Sequence, residues 1–170
     1  KIIARSFSDS IKLRWAPIDY QVWRHCIKHG YIIERITLIR DGDFLDKREK
    51  KILTSKPLKP YPLDEWEKYV EKDDFVGIAA QATYGKDFNV KQINTSPIIT
   101  VFNLSSEQQN RYSFAMFSAD CSPIAAKLSA LSFTDYYVKK NEKYLYRIYP
   151  SVDLPFYMDT AVVMISADDN

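Results

Sequence analysis

The sequence predicts an α+β protein, a small β-sandwich whose chain is interrupted by an inserted group of three to four α-helices. Two stretches predict the sandwich. Near the start, Ile11, Leu13 and Trp15 alternate with Lys12 and Arg14 before Ala16-Pro17, and a β-branched run opens at Gly30-Tyr31-Ile32-Ile33-Glu34-Arg35. Near the end, Tyr144, Tyr146 and Ile148 alternate with Leu145 and Arg147. A third observation predicts the insertion: between these stretches the apolar period changes from two to that of a helix. The expected layout is one domain over 1–170, with sandwich halves at 1–45 and 130–167 and a helical insertion at 60–131.

Taken in order, residues 2–8 read as an edge strand and Ile11–Trp15 as a half-buried one. Residues 18–29, with Trp23, His25, Cys26 and His29, read as a long loop holding at most one helical turn. Tyr31–Ile39 is the next strand, closed by the turn signal Arg40-Asp41-Gly42-Asp43. The cluster Lys47-Arg48-Glu49-Lys50-Lys51 reads as a solvated turn. Leu63, Trp66 and Val70 stand at helical spacing behind Pro62. Phe75, Ile78, Ala79 and Ala82 repeat the stripe, with Asp73 or Asp74 as cap and Gly85 as stop. Residues 86–103 leave strand and extended connector both open around Pro97–Phe102. Ser105 and Gln108 form a capping-box pattern ahead of a helix through 109–119, and Ser122-Pro123 starts a shorter one through Leu131. The chain then returns to strands, with Pro150 and Pro155 bracketing a loop before the apolar run Ala161–Ile165.

Composition narrows the function. With 46% hydrophobic and 27% charged residues in 170, the chain can bury a full core. A net charge of +2 gives no footprint for nucleic acid. No apolar run approaches the roughly 20 residues of a membrane span. The chain opens on Lys1 and stops at Ser166-Ala167-Asp168-Asp169-Asn170, just after a strand, which suggests a fragment of something longer. Cys26 and Cys121 match no metal spacing and are expected as unpaired thiols. The twelve tyrosines suit strand packing, or a surface for stacking sugars or peptides.

The flanking segments resemble the fibronectin type III family on five residues and their order. Trp15 and Pro17 stand where that family has a second-strand tryptophan and proline, and Tyr31 opens the third strand. Val138 and Tyr144 have the spacing of its tyrosine corner, and Thr134-Asp135 is similar to bacterial members. The resemblance covers 1–40 and 130–166. It implies a seven-stranded immunoglobulin-like sandwich with a buried tryptophan and a tyrosine hydroxyl tying down the loop before its strand. A family member spends about 100 residues, and this chain carries about 70 more. Insertions on a fixed scaffold commonly carry function.

The residues argue against an enzyme. Cys26 beside His25 is not a productive pair, and no glycine-rich oxyanion loop accompanies it. His25 and His29 share one face only if helical and lack further ligands, so no metal and no cofactor is expected. The carboxylate pairs Asp73-Asp74, Glu65/Glu67 and Asp168-Asp169 read as cap, helix surface and tail, not as a glycosidase pair. The expected function is a non-catalytic interaction or spacer module of a larger bacterial secreted or surface protein. Its partners would be another protein or neighbouring domains, or a glycan. The alternatives are an assembly domain of a large particle (a secretion apparatus or phage virion) and a carbohydrate-binding accessory domain. Candidate contacts are Tyr20, Trp23, Trp66, Tyr69 and Tyr112; Trp66 and Tyr112 are expected to bury against the sheet, and Tyr20 and Trp23 to sit on the exposed 18–29 loop.

Overall fold

A computed structural model describes residues 1–86, 107–154 and 160–167. Among them the chain is α+β, with seven strands in two antiparallel sheets and five helices. The strands are β1 (Ile2–Ser6), β2 (Ile11–Trp15), β3 (Tyr31–Arg40), β4 (Asp43–Ile52), β5 (Ser132–Asp135), β6 (Glu142–Pro150) and β7 (Ala161–Ser166). One sheet has the order β1-β2-β5 and the other β4-β3-β6-β7. The helix α1 (Tyr20–His29) joins β2 to β3. Between β4 and β5 come α2 (Leu63–Val70), α3 (Asp74–Tyr84), α4 (Glu107–Cys121) and α5 (Pro123–Leu128).

Alternation in the sequence becomes a shared core. Ile11, Leu13 and Trp15 of β2 bury, as do Tyr31 and Ile33 of β3 and Tyr144, Tyr146 and Ile148 of β6. These residues from both sheets join Val22 and Cys26 of α1 in one apolar cluster, at about 1.5–3 kcal/mol for each large aliphatic side chain buried. Trp15 and Tyr31 meet edge to face at 5.5 Å between ring centres.

The inserted helices start and stop on local chemistry. Asp73 caps α3 by accepting from the Phe75 amide, and the Gly85 N–H closes its end on the Gln81 carbonyl. Ser122 caps α5 through the Ala125 amide, with Pro123 at its first turn. Trp66 of α2, Val76, Ala79 and Ala80 of α3, and Ala125 and Leu128 of α5 form a separate helical core. Ala119 of α4 and Ala126 of α5 reach the sheet core instead, so the insertion is tied to both.

Three expectations fail. The 18–29 stretch expected as a loop holds the helix α1, Tyr20–His29. Asp19 caps it through the Val22 amide, Val22, Trp23 and Cys26 bury, and Gly30 ends it at φ 90°. A side chain at Gly30 would also meet the Pro57 Cβ at 2.7 Å. The basic run at 47–51 is not a turn but part of β4, so the first group of strands ends at Ile52 rather than residue 45. The turn is Asp41-Gly42, with φ of 54° and 91°, the left-handed pair that a two-residue hairpin requires. Ser105, the open stretch at 86–103 (beyond residue 86) and the Asp168-Asp169 pair lie outside the described residues. No helix among those described is long and apolar enough to cross a membrane.

Candidate functional site

At the α1 end, helical spacing brings His25 and His29 together, with ring centres 4.5 Å apart. Among the described residues, no group of three or more potential metal ligands forms around the pair. His25 Nε2 is taken up by the Val152 carbonyl at 2.8 Å. Cys26, beside them in sequence, faces the core. Burial pushes its thiol up to about 12, against the opposing hydrogen bond with Tyr31, so at neutral pH it is not a thiolate. Burial and the neighbouring Cys26 also hold the Tyr31 hydroxyl well above its ordinary value. Both cysteines are free, Cys26 buried and Cys121 exposed. Iodoacetamide at pH 8 is therefore expected to place a single adduct, on Cys121, in the native protein, and a second only after unfolding. Labelling of Cys26 in the native state would show that α1 opens.

A groove of about 710 Å3 lies beside this end, lined among others by Ile2, Trp15, Ile18, Tyr31, Tyr149 and Val162. Among the described residues, its ionisable side chains are those of Lys1, Asp19, Tyr31 and Tyr149.

Four of the five candidate aromatics serve packing or sit half-covered. Trp23 is buried among Ala82, Phe114 and Ala115, contrary to its expected place on an exposed loop. Tyr112 meets Trp23 edge to face at 6.2 Å and donates to the Pro17 carbonyl at 2.8 Å. Trp66 is fully buried, against α3 and α5 rather than against a sheet, and donates to the Tyr61 carbonyl at 2.9 Å. Tyr20 is half-buried at the start of α1, and Tyr69 alone of the five stays exposed.

The polar machinery lies instead around the β5–β6 connection. Tyr144 is fully buried; its hydroxyl accepts from the Lys139 amide at 2.7 Å and donates to Glu142 Oε2 at 2.7 Å. Val138 packs against the same core. Arg40 donates to Glu142 Oε1 at 2.7 Å and grips Glu49 through both terminal nitrogens. Burial alone would raise the Glu142 carboxyl, but the hydrogen bonds from Tyr144 and Arg40 outweigh it and hold the group below its usual value. A carboxyl lowered by folding stabilises above its unfolded value of about 4.3, and the contribution is lost as pH falls through the lower folded value. Urea midpoints measured from pH 6 to pH 3 should fall steadily below about pH 4.5, and Glu142→Gln should be weaker at pH 6 with a flatter slope.

Across the sheets, Arg35 of β3 donates to Asp135 of β5 at 2.8 Å, and Tyr146 donates to the same Oδ2 at 2.9 Å. The second Asp135 oxygen accepts the Tyr137 amide at 2.9 Å, and Arg35 donates to the Tyr137 carbonyl at 2.6 Å. One buried ion pair thus holds both backbone groups of a residue whose ring is 75% exposed, next to Tyr136 at 68%. Lys51 of β4 stands 5.3 Å from the Tyr137 ring centre. The candidate readings had passed over Tyr136 and Tyr137; their one sequence signal is two adjacent tyrosines directly after a strand and just ahead of Lys139-Lys140.

No protein-family model matches the chain, and no curated protein or solved structure is significantly similar to it.

Proposed function

We propose that the chain is a non-catalytic interaction or spacer module of a larger bacterial secreted or surface protein, built on a fibronectin type III-like sandwich. The observation that carries this reading is the strand order, β1-β2-β5 beside β4-β3-β6-β7. In the immunoglobulin-like arrangement the first, second and fifth strands share one sheet and the third, sixth and seventh the other. Here the fourth strand pairs with β3. Trp15 in the core and the Tyr144 hydroxyl on the Lys139 amide stand where the resemblance expects a buried tryptophan and a tyrosine corner. Such scaffolds hold loops in fixed positions, which suits recognition or spacing.

The test is retention. Residues 1–170 are immobilised and exposed to an envelope extract and to a panel of glycans. One protein held at stoichiometric ratio supports an interaction module, and no retention at all supports a spacer. A glycan held instead moves the assignment to a carbohydrate-binding domain, and turnover of whatever is retained overturns the non-catalytic reading. Assembly into a large particle is the second reading, favoured by Leu63, Val70, Phe117 and Ile124, which leave apolar surface exposed on the insertion.

A further inference from the structure

We infer that the outer edge of β4, together with the Tyr136–Tyr137 loop, docks an extended acidic polypeptide segment. This rests on the interaction-module reading and names its surface. β4 ends its sheet: it pairs with β3 on one side, and among the described residues no strand pairs with the other. Its free side presents backbone donors and acceptors that an added strand would use. Along it Lys47, Arg48, Lys50 and Lys51 are all exposed.

Charge accounting then selects the partner. Of the carboxylates around β4, Glu49 and Glu142 are engaged by Arg40, Asp135 by Arg35 and Glu34 by Arg147. Asp43 and Asp46 lie further toward the hairpin turn, and no ion pair is formed by the four β4 cations among the described residues. Cations on a strand edge ordinarily prevent indiscriminate pairing. A second copy paired antiparallel about Glu49 would set Lys47 against Lys51 and Arg48 against Lys50, so that register is disfavoured. On the regular stretch of β4 an acidic strand meets the opposite charge at Lys50 and Lys51, the same residues that disfavour that self-pairing.

Tyr136 and Tyr137 supply the contact area. Their loop is pre-ordered, because Arg35 and Asp135 hold the Tyr137 amide and carbonyl while the ring stays in water. A backbone already fixed loses little entropy when a partner arrives. The bulge between Thr37 and Ile39 leaves the regular ladder of β4 at Glu49–Ile52, level with Tyr137 through Lys51, so the docked strand belongs there.

The test is an amide chemical-shift titration of the 170-residue chain with two peptides of about ten residues, a length typical of strands. One alternates Glu with Val and Thr, and the other carries Lys in place of Glu. Shifts at residues 47–52 and 136–137 with the Glu peptide alone support the inference. The affinity should weaken several-fold between 0.05 and 0.15 M salt, as the screening length shrinks to about 8 Å. Lys50→Glu/Lys51→Glu should weaken it by roughly tenfold, and Tyr137→Ala should weaken it without altering the fold. Absent shifts, shifts elsewhere, or equal shifts with both peptides overturn it. So do shifts at the two tyrosines with polygalacturonate but not with the Glu peptide, which would assign the surface to a glycan. A protein retained in the capture experiment through another face would defeat this inference and leave the interaction module standing.

Discussion

Asp135→Ala is expected to cost about 3–5 kcal/mol, the loss seen when one member of a buried ion pair is removed. Asp135 is 2% exposed and accepts from three donors on three parts of the chain: Arg35, Tyr146 and the Tyr137 amide. Removing it leaves a guanidinium 11% exposed and a buried phenol hydroxyl without their acceptor. In the wild type, burial and then the charge of Asp135 hold the Tyr146 hydroxyl far above its ordinary value. Asp135→Asn keeps an acceptor and should lose less. The decisive comparison is Arg35→Met with Asp135→Leu. If the pair's desolvation cancels its attraction, the double variant regains most of the loss, and the coupling in urea midpoints is large. A loss below about 1 kcal/mol for Asp135→Ala would mean that the site is wet rather than buried. Stability aside, the double variant frees the Tyr137 backbone, so the acidic peptide should bind it less well than it binds the wild type.

This cluster marks where the sequence stops being legible. β2 can be read because one face is apolar and buried, so burial writes a period of two into its residues, and β3 can be read from its β-branched run. α3 and α5 can be read because their caps, Asp73 and Ser122-Pro123, are local. β4 could not be read that way. Seven of its ten residues are charged, and it lies at a sheet edge with nearly every position in solvent, so burial imposes no alternation on it. The better signal was the Asp41-Gly42 turn, which calls for a second strand after it. α1 had its signals too: Asp19 before it, Gly30 after it, and the stripe Val22, Trp23, Cys26. Loop-like polar residues between them concealed it. The Arg35–Asp135 pair is of another kind. Its members are a hundred positions apart, and nothing local distinguishes Arg35 from the exposed arginines. Only the register of β3 against β6, and the placing of β5 opposite, bring it into view.

Trp66→Ala is expected to lose about 3–5 kcal/mol, toward the upper end of that range. The cost of such a truncation depends on how well the neighbours can close the hole. Here those neighbours are Val76, Ala79, Ala80, Ala125 and Leu128, on two different helices. Alanines have no side chain to swing inward, so closure requires α3 or α5 to move bodily. α5 is not free to do so, because Ala126 on the same helix is seated in the sheet core. The Tyr61 carbonyl also loses the indole N–H, though it keeps the Tyr84 hydroxyl at 2.5 Å. Trp66→Phe fills much of the volume and forfeits the hydrogen bond, for about 1–2 kcal/mol. Where the loss appears is as informative as its size. Since α5 contributes to both cores, Trp66→Ala should lower the midpoint of one cooperative urea transition, seen equally by fluorescence and far-ultraviolet circular dichroism. Two separated transitions, with amide protection lost in α2 and α3 while β3 and β6 keep theirs, would make the insertion an autonomous unit. The shared alanines would then be a contact between two folding units rather than a single fold's interior.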